Sequence, residues 1–269
     1  MGKKLLLSAA AIAIATPAFA ADLYAPYVPP TNDPVYTPGP MVVGHLTMGI
    51  GFVNFDGSNP FEDDTVGIFT GAGRANINLG GAWNLELETG GTSIFDNGYS
   101  FSSVGVGGHL WTRLNGGAVG VYGAADFPSG ATVGTAGVEG QAYLGNVTLG
   151  ANASYSWSDN LGDFWQATGI ASIYVTPDLK LGGSLAYGDF DGFEAWSAGL
   201  NTEYRFSGTP FSAWGDVNYS SYSSGGPDVL AGLVGFRIFM DGAGTTLQQH
   251  DRDVPWEGVL STNFTLGGI

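Results

Sequence analysis

The chain has 269 residues, 45 of them glycine, with 13% aromatic and only 12% charged residues, where soluble domains carry about 25% charge. Eight basic residues stand against 24 acidic ones, and a formal net charge of −16 excludes a nucleic-acid-binding surface, which needs positive potential. The absence of cysteine excludes disulfides and thiolate metal sites, so stability must come from packing and hydrogen bonds.

Residues 1–20 are expected to be a cleaved signal peptide. Lys3 and Lys4 form a positive start, Leu5 to Ala15 an apolar stretch, and Ala18, Phe19 and Ala20 a small-x-small cleavage site. The apolar stretch is shorter than the roughly 20 residues of a spanning helix. A mature chain starting near Ala21 keeps six basic residues against 24 acids, a formal charge of −18. Residues 21–41 follow as a Pro-rich periplasmic segment. Six of the 13 prolines fall within 26–40, and proline cannot donate to a strand ladder, so a tether is expected; a lumen plug or a periplasmic binding motif are the alternatives.

From Val42 onward the hydropathy alternates with period two. Twelve strands are predicted, at 42–55, 65–79, 82–95, 101–114, 117–126, 132–144, 146–157, 164–176, 178–188, 194–206, 210–222 and 227–240. Ten or fourteen remain alternatives. Short turns at Gly80-Gly81, Asn115-Gly116, Gly145-Asn146, Thr176-Pro177-Asp178 and Ser207-Gly208-Thr209-Pro210 alternate with longer acidic or polar loops. After residue 20 no stretch reaches the roughly 18 apolar residues of a membrane helix. The expected fold is therefore all-β: a transmembrane antiparallel up-and-down β-barrel of about 12 strands over 42–240, with short turns in the periplasm and long loops outside.

The alternation assigns faces. Leu85, Leu87, Leu200, Val217 and Ile238 should point outward, and Glu86, Glu88, Glu203, Asp216 and Arg237 into the lumen. Phe52, Phe69, Phe95, Trp157, Trp165, Tyr187, Trp196 and Tyr219 should form an outer aromatic band at the loop ends. Trp83, Tyr204, Phe206 and Phe211 should form a second at the turn ends, as in membrane girdles.

The ADLYAPYVPP sequence at 21–30 resembles the mature start of many porin-like outer-membrane barrel proteins of alphaproteobacteria. So do LAGLVGFRIF at 230–239 and GTTLQQHDRD at 244–253. The resemblance implies a cell outer membrane location and carries no catalytic residues with it. Barrels of this kind commonly end on an aromatic residue that the barrel-assembly machinery recognises, whereas this chain continues 29 residues past Met240. The expectation is that Phe239 ends the barrel and 241–269 is a periplasmic C-terminal extension; a further strand at 259–266 is the alternative.

A lumen charge belt is predicted in the periplasmic half, from Arg74, Glu86, Glu88, Arg113, Glu139, Lys180, Glu203, Arg205, Asp216 and Arg237. Hairpin register sets Arg74 beside Glu86 or Glu88, and Lys180 beside Glu203. Such a belt serves either as a charged filter or as a structural ion-pair network. Glu62, Asp63, Asp64, Asp159, Asp163, Asp189 and Asp191 form an acidic extracellular rim that concentrates cations. The 189–194 segment lacks the spacing of a calcium loop, and no metal site is assigned. His45, His109 and His250 belong to no nucleophile motif, so the chain is not expected to be an enzyme, and no cofactor is called for.

The function expected is a porin-like passive channel for small hydrophilic solutes or ions with mild cation preference. The alternative is a non-conducting structural or adhesive barrel supporting envelope integrity. Expected partners are outer-membrane lipid and lipopolysaccharide, small solutes or cations, and the barrel-assembly machinery, with no nucleic acid.

Overall fold

The computed structural model describes residues 42–56, 65–95, 100–128, 131–158, 162–190, 193–223, 228–242 and 244–256. The signal-peptide and Pro-rich assignments, and the alternative strand at 259–266, lie outside them.

Twelve strands form one closed antiparallel barrel in which each strand pairs with its sequence neighbours and β12 closes on β1. They are β1 (Val42–Asp56), β2 (Thr65–Gly80), β3 (Trp83–Phe95), β4 (Ser100–Leu114), β5 (Gly117–Pro128), β6 (Val133–Leu144), β7 (Val147–Ser158), β8 (Phe164–Thr176), β9 (Leu179–Phe190), β10 (Phe193–Arg205), β11 (Phe211–Tyr222) and β12 (Asp228–Phe239). The expected fold and strand count are both found, with strand ends displaced by one or two residues. Each strand has at least 12 residues. At about 3.4 Å per residue that gives roughly 40 Å, enough to cross a 30 Å hydrocarbon layer at a tilt near 40°.

Closure follows from local chemistry. Gly80 and Gly81 both adopt positive φ (104° and 62°), which a side chain would oppose, and they reverse the chain between β2 and β3. Gly116, Gly145 and Gly208 do the same in three further turns. At the seam, β1 and β12 pair from His45 opposite Phe239 to Asp56 opposite Asp228.

The outer surface is apolar. Leu200 is 72% exposed and Leu185 67%, and Leu87 and Val217 are also exposed, while Leu85 and Ile238 are half-buried. Glu86, Glu88 and Glu203, on the opposite parity, are buried in the lumen, as the alternation requires. Phe69, Phe95, Trp157, Trp165, Tyr187 and Trp196 are exposed near the loop ends, and Trp83, Phe206 and Phe211 near the turn ends. Phe52, Tyr204 and Tyr219 are half-buried.

Beyond Phe239 the chain turns back. A helical segment, α1 (Leu247–Asp253), follows, capped by Thr246, whose side chain accepts from the Gln249 backbone N–H at 3.2 Å. Among the described residues, β12, ending at Phe239, is the last strand of the barrel. Residues 244–256, however, are not a tail lying apart from it. Leu247 and His250 are fully buried, because this segment folds into the turn-end mouth.

Candidate functional site

The lumen has three tiers, which follow from the inward-facing residues of each strand. Near the turns it is charged, at mid-height it is rich in Thr, Ser and Asn, and near the loops it is apolar on one side, with Asp126, Thr135, Ser156 and Gln166 buried on the other.

At the turn end the inward cations find acids. Arg74 sits 3.6 Å from Glu88, and Lys180 sits 3.6 Å from Glu203, which also holds Arg237 at 2.9 Å. Of the two candidate partners for Arg74, the backbone register puts Glu88 opposite it and Asn76 opposite Glu86. Glu86 is fully buried, and neither of its oxygens has a hydrogen-bond partner among the described residues. Glu139 bonds His109 Nδ1 at 2.9 Å. Asp216 lies higher, on the cavity wall.

The remaining belt cations are satisfied by the C-terminal segment. Arg113 donates to Asp253 at 3.0 Å, and Arg205 to Asp241 at 3.0 Å. Asp251 accepts from Lys180 at 2.8 Å and from the Tyr174 hydroxyl at 2.9 Å, with Arg237 3.8 Å away. His250 bridges Asp241 at 2.6 Å and His45 at 2.9 Å. The Trp256 carbonyl accepts from Arg74 and the Pro255 carbonyl from Gln141. At the start of α1, the Asp178 carboxylate accepts from the Leu247 N–H and the Pro177 carbonyl from the Gln248 N–H. Placing an acid there suits the positive end of a helix. The segment is therefore held by β1, β2, β4, β6, β8, β9, β10 and β12, and it spans the mouth.

These contacts set the carboxyls of the segment apart. Burial pushes Asp251 up, but Lys180 and Arg237 outweigh it and hold the group below the usual carboxylate range. Asp241 is also held low, because hydrogen bonds from His250 and Arg205 overcome its burial. Asp253 shifts the other way: burial raises it despite Arg113. A depressed carboxyl stabilises docking above its undocked value of about 3.9 and loses that contribution as pH falls through the docked value. Asp253 acts in the opposite sense, one group against two. The segment should thus stay docked from pH 5 to 8 and come free only as the pH falls below the usual carboxylate range. A nitroxide on Gln249→Cys, in a chain with no native cysteine, would report release as line narrowing. Narrowing on raising the pH from 5 to 8 would contradict the assignment.

Above this floor lies a cavity of about 330 Å³. Thr148, Asn152, Thr168, Ser172, Ser184, Ser197 and Asn201 line it from β7 to β10, and Val53, Ile68, Ala72, Val229, Ala231 and Leu233 from β12, β1 and β2. The two sets sit on opposite sides of the ring. Near the loops, Val53, Phe55, Val66, Ile68, Ile94 and Val229 form a buried apolar cluster, with Phe101, Tyr222 and Leu233 packed against it.

Of the acidic rim, Asp163 accepts from the Tyr155 hydroxyl at 2.6 Å and Asp189 lies on β9. Glu62, Asp63, Asp64, Asp159 and Asp191 lie outside the described residues. Sequence reasoning missed Asp241, Asp251, Asp253, His45 and His250 as lumen groups. It also missed the apolar tier, although Val53, Phe55, Val66 and Ile68 share parity with His45 and Arg74 and so could be read as inward-facing.

No protein-family model matches this chain, and neither does any curated protein. Solved structures do. An outer membrane channel from Pseudomonas putida F1 aligns over 78% of this chain and 100% of its own, with a TM-score of 0.58 and 13% identity. The NanC porin aligns over 71% and 98%, with a TM-score of 0.53 and 11% identity. The KdgM porin covers the same shares at 0.52 and 10%. At such identities the likeness concerns the fold.

Proposed function

We propose that this chain is an outer-membrane, porin-like passage for small hydrophilic solutes or ions, with mild cation preference, whose periplasmic mouth is closed by its own C-terminal segment in the conformation described. The observation that carries this reading is a cavity of about 330 Å³ with hydroxyl and amide groups in its wall, inside a closed barrel whose outer face is apolar and banded by aromatics. The named porins and channels among the solved structures support it, as does the resemblance of both chain ends to alphaproteobacterial porin-like proteins. An export signal and insertion by the barrel-assembly machinery belong to the same reading.

The cation preference rests on charge. The belt cations are each matched by an acid, whereas the rim carries acids alone, so approaching cations are concentrated before they reach the lumen. In a planar bilayer under asymmetric salt, the reversal potential should favour cations and the preference should fade as salt screens the rim. Neutralising Asp63, Asp64, Asp189 and Asp191 together should lower the preference and leave the barrel folded. A clear anion preference would refute the rim argument.

The docked segment favours a second reading, a non-conducting barrel with a structural or adhesive role. Absence of current both in the full chain and in variants that free the segment would decide for it.

A further inference from the structure

The cavity has a chemistry that a simple water-filled pore does not need. Its β12–β1–β2 side is largely aliphatic, and its β7–β10 side carries hydroxyls and amides. Ligand pockets in proteins combine these in the same way, with apolar walls and a few polar groups that fix orientation, starting at about 300 Å³. Trp214 adds a flat surface. A Cβ placed on Gly49 or Gly235 would come within 2.6 Å of its ring, so the two glycines, paired across β1 and β12, let the indole lie against the wall. Trp214 lines the cavity in this position.

Most of the charge in the cavity wall lies below. The lining residues Arg74, Lys180, Glu203, Arg237 and Asp251 belong to the ion-paired floor, and above it Asp216 is the one charged lining residue among the described residues. An anion would meet Asp216 and aliphatic walls. A cation would leave water for Asp216, a carboxylate that the barrel already engages. In either case desolvating the charge costs several kcal/mol unless it is paired. An uncharged molecule avoids that cost, and a hydroxyl on it can be met by the Ser, Thr and Asn wall.

We propose that the mid-lumen chamber is a binding site for a small uncharged monocyclic molecule with one apolar face and one hydroxyl-bearing edge, its ring against Trp214 and the aliphatic wall and its hydroxyl toward β7–β10. The site rests on reading the barrel as a solute passage, and it names the class of solute.

The test uses three probes that share a skeleton and differ in charge: benzyl alcohol, benzoate and benzylamine, with glucose as a ligand polar on all sides. Each is titrated calorimetrically at pH 7 into the full chain in a polyoxyethylene detergent, against a matched micelle blank. Benzyl alcohol should bind saturably, and at least tenfold more tightly than the other three. Ala231→Phe, which fills the aliphatic wall, should abolish that binding, and Trp214→Leu should weaken it about tenfold. Leu233→Trp replaces Ala231→Phe if that variant fails to give the heat-modifiable gel mobility of a folded barrel. Equal or tighter binding of benzoate, benzylamine or glucose would overturn the proposal, as would unchanged benzyl alcohol binding in the filled variant. Bilayer conductance is recorded separately. Current without benzyl alcohol binding would sink the site and keep the passage, and binding without current would do the reverse.

Discussion

Asp251→Ala should raise the open probability of the barrel in planar bilayers roughly tenfold. Asp251 accepts from Lys180 at 2.8 Å and Tyr174 at 2.9 Å while lying 3.8 Å from Arg237, so one carboxylate ties α1 to β8, β9 and β12. Hydrogen bonds to a charged group contribute about 1.5–3 kcal/mol net. Here the loss is moderated, because Glu203 remains 3.6 Å from Lys180 and 2.9 Å from Arg237 and keeps both cations paired. A net loss near 1.4 kcal/mol is tenfold in the docking equilibrium. The seven residues of α1 are too few to persist as a helix alone, so whatever weakens docking frees the segment as a whole. Single-channel records of the variant beside the full chain provide the measurement. Unchanged open probability, together with unchanged mobility of a spin label at Gln249→Cys, would show that this segment does not close the mouth.

Arg205→Met should cost about 3–5 kcal/mol of stability, the range for leaving one partner of a buried ion pair alone. Arg205 is 1% exposed, and its guanidinium donates to Asp241 at 3.0 and 3.4 Å and to the Gly242 carbonyl at 3.3 Å. It also lies 4.1 Å over the Phe239 ring, at the residue where the barrel ends. Methionine keeps much of the volume but leaves the Asp241 carboxylate bonded to His250 at 2.6 Å. The double variant Arg205→Met, Asp241→Asn should recover more than half the loss, since it no longer buries an unpaired charge. Urea midpoints of reversible unfolding in micelles, converted with a common slope, give both numbers. A single-variant loss under about 1 kcal/mol would mean that water reaches Asp241.

The barrel was legible because its determinants are local and repeated. Trp83, Leu85 and Leu87 alternate with Asn84, Glu86 and Glu88, and period two then fixes the face of every side chain in β3. Gly80-Gly81 and Asn115-Gly116 mark where the chain must turn. Pairing of Arg74 and Lys180 with acids on the next strand followed from folding the sequence about those turns. Residues 244–256 offered no such handle. Their structure depends on contacts far along the chain, such as Lys180 with Asp251, 71 residues apart, and His45 with His250, 205 apart. One signal was present: Arg113 and Arg205 had no acid assigned to them within the barrel, while Asp241, Asp251 and Asp253 lay unassigned beyond it. The apolar tier was missed for a different reason. Val53, Phe55, Val66 and Ile68 face inward in a chain most of whose large aliphatic residues face outward, and averaging over a strand hides a face that changes character along its length.

The partners of the C-terminal segment also fix an order of events in time. His45 is contributed by the first strand and Arg237 by the last, and they stand near each other only once β12 has zipped onto β1. Met240 bonds the Gly44 carbonyl at that same seam, just before the chain turns inward. The segment therefore finds its full set of partners only on a closed ring, and contacts of such sequence separation form late. Its arrival is the terminal step of maturation, a seal set only on a ring already complete, and its burial can serve as a clock for barrel closure.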